Sequence, residues 1–419
     1  MAECPGVAHL AEMADGGLAR LRAPGGRLRA DQARSVAELA ETLGSGALDL
    51  TNRANLQIRG LQRDAGPALA SALGRIGLYA EGPADRRRNV LLDPLAGLDP
   101  TESADLTPVA AALDRALTAQ DWIGELSPKF AFALDGGGAS GVAAVASDVA
   151  LLAMDGRLRL ALAGVPLGVS VAPEEGASAG VLLAKRAAQA GPDARARDLD
   201  AAALRRALAE AGLGQPAAPA DAPWPAALRP VFGLMTQADG RFSSILPVPV
   251  GRLAAAMLRF AAEAAEQGEG ELRLAPWSAI VIPHLDEARA TDALERAQGV
   301  GFLPPDLAAR LRVRACAGAP ACVRAREPAK ALALAVLAEA ARRPELAPET
   351  PRSLHISACP KGCAGAAPAD LLLLGAGDRD GYALHAHAAP RRPGGALGRC
   401  AGDDPAAVLS LLSAMPGAS

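Results

Sequence analysis

The sequence predicts an α+β protein built from a duplicated strand–turn–helix–strand unit, with two further α+β domains of which the C-terminal one holds a metal centre. Three observations carry this: a repeat at an offset of 225 residues, a Pro/Ala-rich linker over 216–225, and four cysteines in two close pairs towards the C-terminus. Length and composition agree. At 419 residues the chain exceeds the usual size of one core, so roughly two to four domains are expected. With 50% hydrophobic and 21% charged residues the chain reads as soluble and globular, and 3% aromatics leaves the core to Ala, Leu and Val.

Composition also narrows the partners. A net charge of −3 provides no basic surplus for phosphates, so no nucleic-acid partner is expected. No apolar run reaches ~18 residues, and Glu3 and Pro5 interrupt any signal core, which points to a cytoplasmic protein with no membrane partner. Six cysteines are too few for a disulfide scaffold in so long a chain, whereas clustered cysteines serve as metal ligands or catalytic groups.

The repeat lays residues 23–61 over 248–285. Pro24, Gly26, Arg27 and Leu28 match Pro249, Gly251, Arg252 and Leu253; Arg34, Ala37, Glu38, Ala40 and Glu41 match Arg259, Ala262, Glu263, Ala265 and Glu266. After one deletion, Leu48 and Leu50 fall on Leu272 and Leu274. The first copy reads as a strand over 18–23, a Gly-containing turn, an amphipathic helix over 31–43 and a second strand over 47–59, a pattern that suits a ferredoxin-like half.

Along a strand running through 59, alternate side chains Thr51, Arg53, Asn55, Gln57 and Arg59 share one face, two of them guanidinium forks suited to carboxylates. The second copy has Ala275, Trp277, Ala279, Val281 and Pro283 at these positions, so only the first is equipped to hold a polyanion. Arg20 and Arg22, two residues apart on the preceding strand, add to the same positive surface. An ordinary solvated sheet face is the alternative reading of this strand.

Cys316 and Cys322 have five residues between them, 36 residues follow, and Cys359 and Cys363 have three between them. The Gly-, Pro- and Ala-rich loops leave amides free to hydrogen-bond sulfur. Five residues is a wide gap for structural zinc, which favours an iron–sulfur cluster over zinc or unligated thiols. Cys4 and Cys400 lack partners at ligand spacing and read as ordinary buried thiols. The run Gly136-Gly-Gly-Ala-Ser-Gly141 matches a dinucleotide fingerprint letter for letter, but no helix or spaced acid follows it, and a hairpin turn is the simpler expectation. His385 and His387 are expected to share one strand face as an edge pair.

Several stretches together resemble the nitrite and sulfite reductase superfamily: Gly17-Leu-Ala-Arg-Leu-Arg-Ala-Pro-Gly-Gly26, Leu50-Thr-Asn-Arg-Ala-Asn-Leu-Gln-Ile-Arg-Gly60, Ser127-Pro-Lys-Phe130 and the two cysteine segments. The resemblance implies two ferredoxin-like half domains (1–85 and 226–300) packed about a pseudo-twofold axis. It adds two reductase-like α+β domains (86–225 and 301–419), the last with Cys316, Cys322, Cys359 and Cys363 holding a [4Fe-4S] cluster.

Within the superfamily, Lys361-Gly362, Cys4-Pro-Gly6 with Asp15-Gly16, and Lys129-Phe130-Ala131 without a second lysine look most like the precorrin-3B synthase branch. That branch implies hydroxylation of precorrin-3A by dioxygen at a meso carbon, with γ-lactone closure by the ring A acetate, in aerobic cobalamin biosynthesis. Reducing equivalents would come from NADH through an electron-donating partner reductase. Thr51, Arg53, Asn55, Gln57 and Arg59 would then clamp the acidic side chains of the substrate, and Arg20, Arg22 and Lys129 would be the catalytic basic residues. The resemblance also implies a mononuclear non-haem iron, for which His9, His284, His355, His385 and His387 declare no ligand set; His355 is expected beside the cluster. Two other readings remain open: a sirohaem-dependent nitrite or sulfite reductase, and a non-catalytic iron–sulfur or tetrapyrrole-binding protein.

Overall fold

The computed structural model describes residues 4–217, 224–377 and 381–415, so most of the predicted 216–225 linker lies outside the described residues. The first unit contains β1 (Ala11–Met13), β2 (Gly16–Leu21), β3 (Arg27–Arg29), α1 (Ala30–Thr42), β4 (Ala47–Leu50), β5 (Leu56–Leu61) and α2 (Gly66–Arg75). Next come β6 (Val90–Leu92), α3 (Thr107–Thr118), β7 (Phe132–Asp135), β8 (Val149–Met154), β9 (Arg157–Leu162), β10 (Val165–Val171), α4 (Gly176–Ala190), α5 (Ala201–Glu210) and β11 (Gln215–Pro216). The second copy of the repeat holds β12 (Gly233–Thr236), β13 (Phe242–Pro247), β14 (Arg252–Ala254), α6 (Ala255–Ala265), β15 (Glu271–Ala275), β16 (Ala279–Leu285) and α7 (Glu287–Gly299). The chain closes with α8 (Pro305–Arg310), β17 (Leu311–Ala315), α9 (Ala329–Arg342), β18 (Arg352–Ser357), β19 (Ala369–Gly375), β20 (Tyr382–Ala388), β21 (Gly398–Cys400) and α10 (Pro405–Ala414). No helix among the described residues is long and apolar enough to cross a membrane.

The two repeats exchange strands. One sheet runs β1-β2-β5-β4-β14 and the other β12-β13-β16-β15-β3, so the short strand after each Pro-x-Gly-Arg turn completes the sheet of the opposite copy. Leu253 lies opposite Leu48, and Leu28 opposite Leu272. The repeated charges on the helices are explained by the same symmetry: Arg34 pairs with Glu266, and Arg259 reaches Glu41 at 2.5 and 2.7 Å. A single apolar core joins both copies, while the middle and C-terminal domains have cores of their own.

The shared glycine is required by the exchange. Gly26 and Gly251 have φ of +71° and +72°, and a Cβ would lie 3.0 Å from the Leu274 carbonyl oxygen and 2.5 Å from that of Leu50, respectively. Each turn thus presses against the opposite copy where only a hydrogen fits.

Symmetry breaks at one register position, and that break selects what docks there. Asp49 in the first copy corresponds to Arg273 in the second. Asp49 lies opposite Arg252 and binds it at 2.9 Å, accepts from Arg59 at 3.3 Å, and attracts Lys330 of the C-terminal domain at 3.5 Å. Arg273 donates instead to the carbonyls of Pro94 and Ala96 in the middle domain, at 3.1 and 2.6 Å.

The glycine-rich run is neither a hairpin nor a nucleotide cradle. It leaves β7 and leads into β8, and these strands are parallel, so the segment is a crossover. Its donors are already occupied by buried carboxylates: Asp135 accepts from Gly137 and Ala143, Asp99 from Ala139, and Asp93 from the Ser140 hydroxyl at 2.6 Å. A phosphate would meet anions there rather than free amides.

If the exchange sets the tight fit at Gly251, then Gly251→Ala should destabilise the protein by roughly 1–3 kcal/mol, because strained φ is joined by a backbone clash. Gly270 has φ +72° with no atom near its added Cβ, so Gly270→Ala should cost less. Chemical denaturation of the two variants checks this ordering.

Candidate active site

The cysteine pairs converge because of strand polarity. β17 and β18 are parallel neighbours, with Ala315 beside Ile356, so the loops that follow them leave the same edge of the sheet. Helix α9 makes the crossover between them. Gly318, φ +67°, brings the first loop against the start of α9, where a Cβ would lie 2.4 Å from the Ala329 amide nitrogen. The Ala358 amide donates to Cys316 Sγ at 3.2 Å, the kind of N–H to sulfur contact that stabilises a ligated thiolate.

Burial pushes the Cys363 thiol pKa up; Lys361 opposes that rise, and Cys316, Cys359 and Cys322 add to it. Cys363 thus lies within electrostatic reach of the other three cysteines. Among the described residues, however, no three His, Cys, Asp or Glu side chains converge closely enough to hold a single metal ion.

The same finding leaves the expected mononuclear iron without a ligand set among the described residues. His385 and His387 do not form a face pair, because φ of +44° at His387 breaks the alternation. His385 is buried against the Gly395 carbonyl, while His387 faces Asp370. His355 is fully buried with both ring nitrogens unpartnered, and burial, with a smaller effect of Arg314, lowers its pKa to about 4.

A cavity of about 790 Å³ opens beside the cysteine loops and is lined by Cys316 and Cys363. Its far wall comes from the first repeat: Arg20, Asp49, Thr51, Gln57 and Arg59. Val250 and Trp277 of the second repeat close another side. This volume is in the upper part of the range for small-molecule pockets.

Residues 47–59 do not form one strand, and the expected five-residue face is not assembled. β4 ends at Leu50 and β5 begins at Leu56, with Ala54 at φ +53° in the connecting turn. The Thr51 hydroxyl accepts from the amides of Arg53 and Asn55, which folds the turn. Thr51, Gln57 and Arg59 line the cavity, Asn55 is buried in the turn, and Arg53 points elsewhere. Arg53 donates to the Lys129 carbonyl at 3.3 Å and lines a small crevice with Asn89 and Phe132.

Arg59 faces the cavity with its charge already matched. It grips Asp15 through two nitrogens at 2.9–3.0 Å and also reaches Asp49. Of the three expected catalytic basic residues, only Arg20 lines the cavity. With the Gln57 amide turned so that its oxygen faces Arg20, it accepts from Arg20 at 2.7 and 3.1 Å. Arg22 is a buried staple that donates to Asn89 at 2.7 Å and to the Pro5 and Asp85 carbonyls; burial foremost, then Arg20, lowers its pKa to about 10. Lys129 is exposed and lies outside the cavity.

Sequence reasoning missed Lys330, Arg312 and Arg314, all of which line the cavity. Arg312 and Arg314 alternate on the strand leading directly into Cys316, a signal that was available. Lys330 was not, because its partners, the Val250 carbonyl at 3.0 Å and Asp49, belong to the two repeats.

Comparison with known proteins bears on this arrangement. The nitrite/sulfite reductase ferredoxin-like half domain matches twice, over 11–76 and 235–300, and the nitrite and sulphite reductase 4Fe-4S domain matches 83–181. The cysteine quartet lies outside those stretches. A precorrin-3B synthase of Sinorhizobium sp is 31% identical over 91% of this chain and 82% of its own length. The ferredoxin–nitrite reductase of Synechococcus elongatus is 29% identical over 86% of this chain and 76% of its own. The solved structure of Mycobacterium tuberculosis NirA superposes with a TM-score of 0.69 at 20% identity, covering 92% of this chain and 77% of that one. With the exchanged half domains, the matched profiles and relatives of this extent, the chain belongs to the nitrite and sulfite reductase superfamily.

Proposed function

We propose that the chain is an oxidoreductase acting as a precorrin-3B synthase. One atom of dioxygen would enter precorrin-3A as a meso hydroxyl and the other would leave as water, with two electrons from NADH and the accompanying protons completing the balance. The ring A acetate would then close the γ-lactone. The observation that carries this reading is the cavity in which Cys316 and Cys363 face Arg20 and Gln57. An acid-rimmed macrocycle placed there touches the metal centre's loops on one side and a guanidinium on the other.

The four cysteines would hold the cluster, which when bound supplies electrons singly from a partner reductase. Arg20, oriented by Gln57, would bind a substrate carboxylate, and Thr51 would add a hydrogen bond. Trp277, whose indole N–H donates to the Val231 carbonyl at 3.0 Å, would present a fixed ring surface that excludes water. Fixed contacts of this kind contribute by positioning the reacting carbon.

In the sirohaem reductase reading, Arg22, Lys129 and a second lysine after Phe130 would be among the groups that face the small anion. Lys129 is outside the cavity, Arg22 is committed to Asn89, and the position after Phe130 is the buried Ala131. This favours the synthase reading over the reductase one.

Product formed under ¹⁸O-labelled dioxygen should gain one labelled oxygen; an unlabelled product, or reduction of nitrite or sulfite in its place, would contradict the assignment. Cys363→Ser should leave a folded chain that has lost most of its iron and acid-labile sulfide, as measured by metal and sulfide analysis. A full complement in that variant would remove Cys363 from the ligand set.

A further inference from the structure

Arg312 and Arg314 form a feature that the fold itself does not explain. They project from β17 two residues apart and both line the cavity. Neither has a carboxylate partner in an ion pair among the described residues. Arg314 is held rigidly, donating through Nη2 to the carbonyls of Ala367 and Pro368 at 2.9 Å each, with Gly365 close against its Nη1. Arg312 is exposed to the cavity without such an anchor.

The surroundings do not neutralise this pair. Two residues apart on one strand, and so on the same face, the two guanidiniums repel each other. His355, beside Arg314 across the β17–β18 ladder, is a buried imidazole with no partner of its own. The carboxylate that lines the cavity, Asp49, is already committed to Arg59, Arg252 and Lys330. Two adjacent cations in a partly desolvated wall are destabilising unless an anion joins them.

Resting on the macrocycle reading above, we propose that Arg312 and Arg314 are a carboxylate-binding subsite on the cluster-domain wall. They hold the edge of the ligand opposite to the one held by Arg20. Arg314 supplies a fixed fork and Arg312 a mobile one, so Arg312 determines whether a ligand acid on that edge is recognised. A ligand with acid groups on both edges is gripped from two domains, and one with acids on a single edge is gripped from one.

The probe is uroporphyrin, compared with its uncharged methyl ester, titrated into the cluster-loaded protein by fluorescence quenching. Arg312→Gln should raise the Kd for uroporphyrin by about tenfold or more, since charge-assisted contacts are worth about 1.5–3 kcal/mol. Arg312→Lys should restore part of the affinity, and the weak binding of the ester should be unchanged by either substitution. Iron content and the cluster's visible spectrum, unaltered in both variants, establish that the fold and metal centre are intact. If Arg312→Gln binds uroporphyrin like the wild type while Arg20→Gln binds it weakly, the subsite is disproved and the macrocycle cavity stands. If the wild type does not bind uroporphyrin at all, both are overturned.

Discussion

The buried carboxylate of Asp49 holds the working arrangement together. It contacts Arg59 of its own sheet, Arg252 of the exchanged strand and Lys330 of the C-terminal domain. Burial raises its pKa, but Lys330, Arg252 and Arg59 together outweigh burial and leave it depressed. Such a carboxylate is expensive to desolvate and is tolerated because cations from three parts of the chain converge on it. Its position at the cavity wall means that the same ion cluster that docks the domains also fixes the distance between the sheet of the first repeat and the cysteine loops.

The duplication supplies the frame, and its asymmetry supplies the site. Exchanged strands force the two copies into one core, while the substitution of Asp49 by Arg273 at the equivalent position sends the C-terminal domain to one side and the middle domain to the other. The parallel β17 and β18 then send both cysteine loops off the same edge of their sheet, and Cys316 and Cys363 line the cavity there. Charge around that cavity is unevenly matched: Arg59 and Lys330 are neutralised by aspartates, whereas Arg20, Arg312 and Arg314 are held by neutral groups or by none. The matched cations build the walls, and the unmatched ones are available to an acidic ligand.

The duplication and the cysteine quartet were legible in the sequence because both are local in character: aligned residues in one case and paired spacing in the other. The five-residue binding face was misread because the turn over 51–55 contains neither glycine nor proline. The second copy held the missing cue, since Pro276 aligns with Asn52, and Ser278, which aligns with Ala54, shares its positive φ. Strand exchange leaves no local trace, because a strand has the same pattern whichever copy it pairs with. The glycine-rich run was misjudged for a similar reason: the carboxylates of Asp93 and Asp99 that fix it lie far upstream.

On the proposed reading, the cysteine loops and the acid-binding wall serve one ligand in one cavity. The electron paramagnetic resonance spectrum of the reduced cluster, recorded with and without uroporphyrin, tests it most directly. The cluster signal should change in step with porphyrin occupancy and stay unchanged when the methyl ester is added at the same concentration. A cluster signal that stays the same with uroporphyrin bound at saturation would place the ligand elsewhere and rule out a shared cavity.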